Sequence, residues 1–287
     1  MLPELPRVPG VEHRHVAVRG VRIHVAEAGE GEPLLLQHGW PEAWVCWRQM
    51  IPTLARHYRV ICPDLRGHGW SESPRGGYEK ESLAQDMIAL LDELGIERVR
   101  LVGHDWGAYC GFLACLRAPE RFERFVALSI PHPWTEIRAR RLHNYAYQVL
   151  LASPFLGGLV LRHVPMFIQT VFRVGTATPD AIDPETRALY VALTRDPEHA
   201  RAMVALYRTF LLHEAGPLIR GAYRDRRLAV PTRLIVGDRD PVSSPEVETG
   251  FEDNADDMTV ETIAGAGHFL PEEAPDLISR RVLEFFA

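Results

Sequence analysis

The sequence has few cysteines and no excess of basic residues. Its 287 residues include four cysteines, Cys46, Cys62, Cys110 and Cys115. They lie inside or beside apolar segments and lack the spacing of a disulfide framework or a zinc site, so we expect reduced thiols packed as small apolar groups. With 32 basic and 38 acidic residues the formal net charge is −6, which argues against a protein that binds nucleic acid.

Long apolar runs are also missing. No window holds the roughly 18 consecutive apolar residues that a membrane span needs, and the first residues lack the basic and apolar regions of a secretory signal. We therefore expect a cytoplasmic protein with no membrane partner. The sequence has no G-x-G-x-x-G at the start of a helix, and His13 and His15 lack a third ligand nearby. No cofactor and no metal are therefore expected.

Short apolar runs alternate with helical patterns along the first 130 residues. The pattern predicts a hairpin over residues 12–18 and 21–27, then strands at 34–36, 58–62, 99–102 and 125–130. Helices are predicted between these strands, over residues 43–56, 79–94 and 108–116. Strands that alternate with helices are typical of a parallel sheet covered on both faces, so the fold class is α/β.

A long interruption divides the predicted sheet. The next strands are expected at residues 232–236 and 258–263, followed by a helix over 275–286. The intervening 101 residues from 131 to 231 far exceed the dozen or so that a crossover requires, and most of them have helical patterns broken by proline and glycine. We therefore predict a core domain of residues 1–131 and 229–287, with a helical cap inserted over 132–228.

The segment Gly-His-Asp-Trp-Gly at residues 103–107 carries the strongest chemical signal. It follows an apolar strand and precedes an apolar helix, which is the context of a nucleophile elbow. The central residue is Asp105 rather than a serine. A carboxylate is ionised at neutral pH, and its attack on a saturated carbon gives a stable alkyl ester. The pattern therefore indicates an alkylating substrate, such as an epoxide or an alkyl halide.

Three other motifs follow predicted strands, at residues 38–41, 237–241 and 265–268. Ligands bind at the carboxyl ends of such strands, so these motifs should meet. The order Asp105, Asp240, His268 matches a nucleophile, an acid and a histidine, with Asp238 as the alternative acid. Because adjacent residues on an elbow point apart, we expect His104 to be a buried, hydrogen-bonded histidine rather than a second base.

Residues 38–42 (HGWPE), 64–73 (DLRGHGWSES) and 103–108 (GHDWGA) resemble the signature motifs of the α/β-hydrolase-fold epoxide hydrolases. The resemblance covers nearly all of the predicted core and is looser across the cap. It implies an α/β-hydrolase fold, with a mostly parallel eight-stranded sheet, helices on both faces and an inserted helical cap. It also implies that a small-molecule epoxide reacts with water through an ester on Asp105, which is hydrolysed by water that His268 and Asp240 activate.

The same resemblance implies two oxyanion donors, the backbone N–H groups of Trp40 and Trp106, and makes Trp40-Pro41 a candidate cis peptide. It further implies that two cap tyrosines assist ring opening.

Tyr207 is the first of these tyrosines, since it faces inward on an apolar helical stripe. Tyr147 is the second, although the helical period favours Tyr145. Tyr190 and Tyr223 are lesser candidates.

Two alternative functions stay open at this point. A haloalkane dehalogenase shares the aspartate, the histidine and the following tryptophan, and it holds the halide with two side-chain donors. Trp106 could be one donor; no tryptophan follows Trp134, so the second would be the indole of Trp40. Because a fold does not fix a function, a non-catalytic ligand receptor is the other alternative. The oligomeric state, including a homodimer, is left open by the sequence.

Overall fold

The computed structural model describes residues 2–135, 146–178, 180–243 and 248–287. The described strands form one eight-stranded sheet in the order β1-β2-β4-β3-β5-β6-β7-β8. They are β1 (Glu12–Val18), β2 (Val21–Ala28), β3 (Pro33–Gln37), β4 (Arg59–Pro63), β5 (Val99–His104), β6 (Phe122–Leu128), β7 (Thr232–Gly237) and β8 (Met258–Ile263). The pairs β1–β2 and β2–β4 are antiparallel and the other pairs are parallel, so the predicted α/β fold is confirmed.

Helices connect and cover these strands. In the first part of the chain they are α1 (Ile51–Leu54), α2 (Lys80–Glu93) and α3 (Trp106–Arg117). Between β6 and β7 the described helices are α4 (Ala146–Ala152), α5 (Leu156–His163), α6 (Pro165–Gly175), α7 (Pro184–Arg195), α8 (Pro197–Thr209) and α9 (Ala215–Ile219). The chain ends with α10 (Leu270–Glu273) and α11 (Pro275–Phe286). None of the described helices is both long and apolar enough to cross a membrane.

Local sequence explains most of these elements. The leucines at 34–36 in β3 have no exposed surface, as a central strand of a parallel sheet requires. Arg19 and Gly20, with φ of 47° and 77°, join β1 to β2 in the left-handed conformation that suits a two-residue hairpin turn. In α2 the predicted apolar stripe is buried through Leu83 and Met87. Periodicity and turn chemistry are therefore reliable guides to these elements.

The predicted helix over residues 43–56 is wrong. The structure has a short 3-10 helix at Trp44–Trp47 and only the single turn of α1. The backbone N–H of Trp44 donates to the Asp64 carboxylate at 2.7 Å, which fixes the start of the segment from outside. Pro52 lacks an N–H, so it suits only the first turn of a helix. The segment is therefore two short turns rather than one helix.

The helical insertion leaves and rejoins the sheet at neighbouring strands. Helices α4 to α9 lie between β6 and β7, and Phe125 of β6 pairs with Thr232 of β7. The insertion therefore does not disturb the sheet, and its own helices pack mainly on one another, with α8 in contact with α4, α5 and α7. The boundaries of a separate cap domain at residues 132 and 228 stay a prediction.

Candidate active site

Asp105 occupies the turn between β5 and α3. Its backbone has φ 50° and ψ −127°, a strained conformation for a residue with a side chain, and α3 begins at the next residue. A Cβ on Gly107 would lie 2.3 Å from the backbone oxygen of Gln37, so only glycine fits there. The turn therefore places the Asp105 carboxylate at the edge of the sheet where β5 ends.

His268 connects this carboxylate to Asp240. The His268 Nδ1 atom lies 3.1 and 3.2 Å from the two carboxylate oxygens of Asp240, which follows β7. On the other side of the ring, Nε2 lies 3.6 Å from Oδ2 of Asp105. All three side chains are buried. The structure thus brings together the three residues that the sequence singled out.

The two aspartates after β7 have different partners. Asp238 is exposed and accepts a hydrogen bond from the backbone N–H of Gly265 at 2.8 Å, which braces the loop. Asp240 is buried and accepts bonds from the backbone N–H groups of Val242 and Ser243, at 2.7 and 3.2 Å. These bonds fix the Asp240 carboxylate toward His268. The choice of Asp240 over Asp238 therefore agrees with the geometry.

A backbone donor holds the other oxygen of the elbow carboxylate. The N–H of Trp40 donates to Oδ1 of Asp105 at 2.8 Å, and the backbone N–H of Trp106 helps to lower the pKa of the same carboxylate. The Trp40-Pro41 peptide bond is cis. The Trp40 N–H therefore holds one oxygen of the carboxylate, while His268 faces the other.

The charges of Asp105 and His268 support one another. Burial acts to raise the pKa of Asp105, but the hydrogen bond and charge of His268 outweigh it, so this pKa is lowered. Burial acts to lower the pKa of His268, but the charge of Asp240 and the hydrogen bond to Asp105 raise it well above its ordinary value. The resting site is therefore an anionic Asp105 beside a protonated His268.

His104, next to Asp105, is buried as expected and faces away from the nucleophile. Its Nδ1 lies 2.7 Å from the Glu42 carboxylate and its Nε2 lies 2.8 Å from the backbone oxygen of His268. Both partners can only accept, so both ring nitrogens donate. Burial opposes the charged ring, yet Glu42 raises the pKa of His104. This charged pair therefore supports the backbone of the His268 loop.

The end of α6 and one glutamate also hold the His268 loop. The backbone N–H of His268 donates to the Gly175 carbonyl oxygen at 2.7 Å. The Glu273 carboxylate accepts bonds from the backbone N–H groups of Gly267 at 3.0 Å and Phe269 at 3.1 Å, and from that of Ala177 at 2.7 Å. Glu273 thus ties the loop to the segment after α6.

Two of the predicted tyrosines lie together near the elbow. The ring centroids of Tyr147 in α4 and Tyr207 in α8 are 5.8 Å apart. The Trp40 ring lies 6.0 Å from the first and 5.2 Å from the second. Burial raises the pKa of Tyr207 well above its ordinary value; a hydrogen bond from the Trp106 side chain acts in the opposite direction. Tyr207 therefore stays protonated and can donate.

The other tyrosine candidates do not join this group. Tyr190 donates to Glu272 at 2.9 Å and Tyr223 donates to Glu81 at 3.3 Å. Tyr145 lies outside the described residues, so only the position of Tyr147 is known, and the choice between the two stays a prediction. The described structure also has no group of three or more histidine, cysteine, aspartate or glutamate side chains arranged to hold a metal.

A cavity of about 350 Å³ opens at the elbow carboxylate. Asp105, His268, Trp40 and Tyr147 line it. One face of α6 also lines it, with Phe167, Thr170, Val171 and Val174. The wall is mainly apolar, which suits a compact apolar ligand whose reactive carbon reaches the carboxylate.

Sequence reasoning missed several residues that shape this site. The α6 residues follow the spacing i, i+3, i+4, i+7 and so mark one helical face, a signal present in the sequence. Glu42 and Glu273 had no such signal, because their partners are backbone groups or a distant histidine.

Comparison with known proteins agrees with the geometry. The family profile described as the alpha/beta hydrolase fold matches residues 32–152. The soluble epoxide hydrolase of Corynebacterium sp. is 29% identical, over 96% of this chain and 98% of its own length. Epoxide hydrolase A of Mycobacterium tuberculosis is 31% identical, over 95% of this chain and 96% of its own length.

A solved structure gives the same relationship. The epoxide hydrolase CorEH without ligand superposes with a TM-score of 0.88 at 27% identity, covering 96% of this chain and 98% of its own. The likeness spans the helical insertion as well as the sheet.

Proposed function

The chain belongs to the epoxide hydrolases of the α/β-hydrolase fold, and we propose that it adds water to an epoxide to give a vicinal diol. The observation that carries the proposal is an anionic Asp105 at the elbow, between backbone donors and the pair formed by His268 and Asp240. A serine at this place would suit acyl transfer, whereas a carboxylate suits attack on a saturated carbon.

The first step is ring opening. Oδ2 of Asp105 attacks a ring carbon, the bond from that carbon to the epoxide oxygen breaks, and an alkyl ester forms. The leaving alkoxide is strongly basic, so it needs a proton donor. Tyr207 and Tyr147 are our candidates, because their rings lie together beside the cavity and burial keeps Tyr207 protonated. The tyrosine that protonates the alkoxide becomes a phenolate. His268 loses its proton once Asp105 becomes a neutral ester, and this proton restores the tyrosine through solvent.

The second step is ester hydrolysis. The neutral His268 imidazole, oriented by Asp240, takes a proton from a water that attacks the Asp105 carbonyl carbon. Negative charge then develops on Oδ1, where the N–H of Trp40 donates, and the backbone N–H of Trp106 is our second candidate donor. The intermediate collapses when the bond from the carbonyl carbon to the diol oxygen breaks. The diol oxygen takes the second proton of the water, His268 keeps the first, and the water oxygen stays in the Asp105 carboxylate.

The helical insertion acts as a cap in this proposal. It supplies both tyrosines and the α6 wall of the cavity, so it would set which epoxides fit. Closing an apolar wall over the carboxylate also excludes water from the ring-opening step.

Halide release is less well supported. The indole of Trp106 already hydrogen-bonds Tyr207, and the indole Nε1 of Trp40 is enclosed, with no hydrogen-bond partner among the residues that the structure describes. The two indoles are therefore a weaker pair of halide donors than two free N–H groups facing the cavity would be. A side-by-side assay tests the choice: small and bulky epoxides should yield diols, while haloalkanes should release no halide. Halide release without diol formation would refute the proposal, and so would ligand binding without turnover.

A further inference from the structure

Lys80, the first residue of α2, is completely buried, which is rare for a lysine. Its ammonium has three N–H donors, and three acceptor oxygens lie within hydrogen-bond distance of Nζ. Nζ lies 2.7 Å from the backbone oxygen of Leu206, 3.0 Å from the Glu214 carboxylate and 3.3 Å from the backbone oxygen of Tyr78. The other oxygen of Glu214 accepts the backbone N–H of Lys80 at 2.7 Å. Every donor of this buried charge is used.

The partners of Lys80 surround the end of helix α8. Leu206 directly precedes Tyr207, and Glu214 ends the π-helical turn Phe210–Glu214 that follows α8. The Leu206 carbonyl oxygen already accepts the backbone N–H of Phe210 and the Thr209 hydroxyl. The Lys80 ammonium adds a third bond, the one that comes from outside the helix. It thereby anchors the backbone beside Tyr207 to a helix of the sheet domain.

The same ammonium also contacts the nucleophile side of the site. Nζ lies 4.8 Å from the centroid of the Trp106 ring and 5.3 Å from that of Phe210. Trp106 follows Asp105 directly, and its ring meets Tyr207 edge-on at 5.9 Å. A cation over an aromatic face is attracted to it, most strongly when both are buried. Lys80 thus joins the residue after the nucleophile to the helix that carries the candidate acid.

We propose that Lys80 is a positioning residue for ring opening, which fixes the Tyr207 hydroxyl relative to Asp105. The inference rests on the function proposed above. Lys80 does not line the cavity and so acts through Tyr207 rather than on the substrate. Ester hydrolysis depends on His268, Asp240 and the backbone donors of the elbow. Of these residues, Lys80 contacts only the ring of Trp106, whose backbone is held by α3. The two chemical steps should therefore respond differently when Lys80 is changed.

The test is single-turnover kinetics of the full chain with styrene oxide, which separates ester formation from ester hydrolysis. Lys80→Met keeps the length of the side chain and removes its charge and donors. We expect at least about a tenfold slower ester formation, because small displacements of a reacting group are costly, and little change in hydrolysis. Glu214→Gln, at a partly exposed position, should give a smaller loss in the same step, and it serves if Lys80→Met does not fold.

A double-mutant cycle with Tyr207→Phe tests whether Lys80 acts through the tyrosine. In the Tyr207→Phe background, Lys80→Met should slow ester formation far less than it does alone. An undiminished loss would overturn the inference, as would an equal loss in both steps.

Asp86→Asn is the matched control, because it weakens a different ion pair of α2, with Arg66. It should lower stability and leave the ratio of the two rates unchanged; a shifted ratio would count against Lys80. If the parent protein forms no ester with any epoxide, the proposed function itself fails, which is a separate result.

Discussion

His268 is the residue on which the two proposed steps differ most. Ring opening needs the Asp105 carboxylate and no base, whereas ester hydrolysis needs a neutral imidazole. Nε2 of His268 lies 3.6 Å from Oδ2 of Asp105. The imidazole is therefore close enough to activate a water that attacks the Asp105 ester. Removing the imidazole should therefore stop the reaction halfway.

We expect His268→Gln to accumulate an ester on Asp105. Hydrolysis should slow by a factor of about 10²–10⁴, the usual contribution of a general base, while ring opening continues. Intact-mass analysis after incubation with an epoxide should show an adduct of the mass of the substrate. The control is Asp105→Asn in the same background, which should stay unmodified. An unmodified His268→Gln enzyme, with an active parent, would contradict the covalent scheme.

Acidic pH should also cause the ester on Asp105 to accumulate, in this case on the parent enzyme. The Asp105 charge helps to raise the pKa of His268, and this support disappears when Asp105 becomes a neutral ester. Asp240 still raises the pKa of His268 in the ester, but less than both carboxylates do together. Hydrolysis should then slow as the pH falls through this pKa, because the imidazole becomes protonated. Ring opening persists, because the pKa of Asp105 is itself lowered. Quenched-flow mass spectra should show a growing ester fraction as pH falls; a fraction that grows toward alkaline pH would contradict this assignment.

Some residue roles follow from sequence and others need coordinates. Asp105 and His268 stand in motifs whose flanking glycines and strands define them. Asp238 and Asp240 both follow β7 within three residues, so only their hydrogen bonds separate them. Lys80 is a further case: a lysine at the start of an amphipathic helix gives no sequence signal that it is buried.

At the scale of elements, the turn from β5 to α3 depends on close backbone contacts. A Cβ at Gly107 would lie 2.3 and 2.4 Å from the backbone oxygens of Gln37 and His38, which cannot move without disturbing β3. Gly107→Ala should therefore cost about 1–3 kcal/mol of unfolding free energy, as overpacking does, and should lower activity. Gly76→Ala is the matched control, since nothing lies within 4 Å of its Cβ. Urea unfolding compares the two; equal effects would contradict the steric account.

Helix α6 should set the size of the substrate. Val171 lines the cavity. Val171→Phe should reduce kcat/KM for bulky epoxides by about tenfold and for small ones much less, because the larger side chain takes space from an apolar pocket. Gln169→Phe, on another face of α6, is the control and should leave the ratio unchanged. The ratio of diol formation from a bulky and a small epoxide is the measurement. An equal loss of kcat/KM for both epoxides would indicate that Val171 supports folding rather than substrate selection.

Elements were predictable where their own side chains decide the outcome. The stripe of α2 and the buried runs of β3 and β5 fall in this class. The segment over residues 43–56 does not, because a carboxylate from a distant loop fixes the Trp44 backbone. Helical periodicity alone could not reveal that contact.

At the scale of the molecule, Arg48 links the sheet domain to the helical insertion. It binds the fully buried Glu272 at 2.7 Å and Asp183, the N-cap of α7, also at 2.7 Å. Arg48→Met would leave Glu272 buried without its cation. Burial raises the pKa of Glu272 to about 7 even beside Arg48, so the carboxyl should take up a proton at neutral pH when the cation is lost. The expected loss is therefore about 1–3 kcal/mol, the cost of a buried polar group that loses its partner.

The control for Arg48→Met is Arg227→Met, which removes an exposed pair with Asp256. That change should cost at most about 1 kcal/mol. Urea unfolding of both variants at neutral pH makes the comparison. Equal losses would show that Arg48 does not join the two parts of the molecule in the way its contacts indicate.

The bond from His268 to the Gly175 carbonyl has a consequence for protein engineering. Exchanging helices between related enzymes assumes that substrate selectivity can be altered without changing catalysis. Here the last residue of the helix that we expect to set selectivity also supports His268, the proposed general base. A chimera that replaces α6 must therefore keep the backbone carbonyl of residue 175 in the same place, and a glycine there, because a Cβ would lie 2.5 Å from the Phe269 ring. Without it, the transplant would change the turnover of the ester along with the choice of substrate.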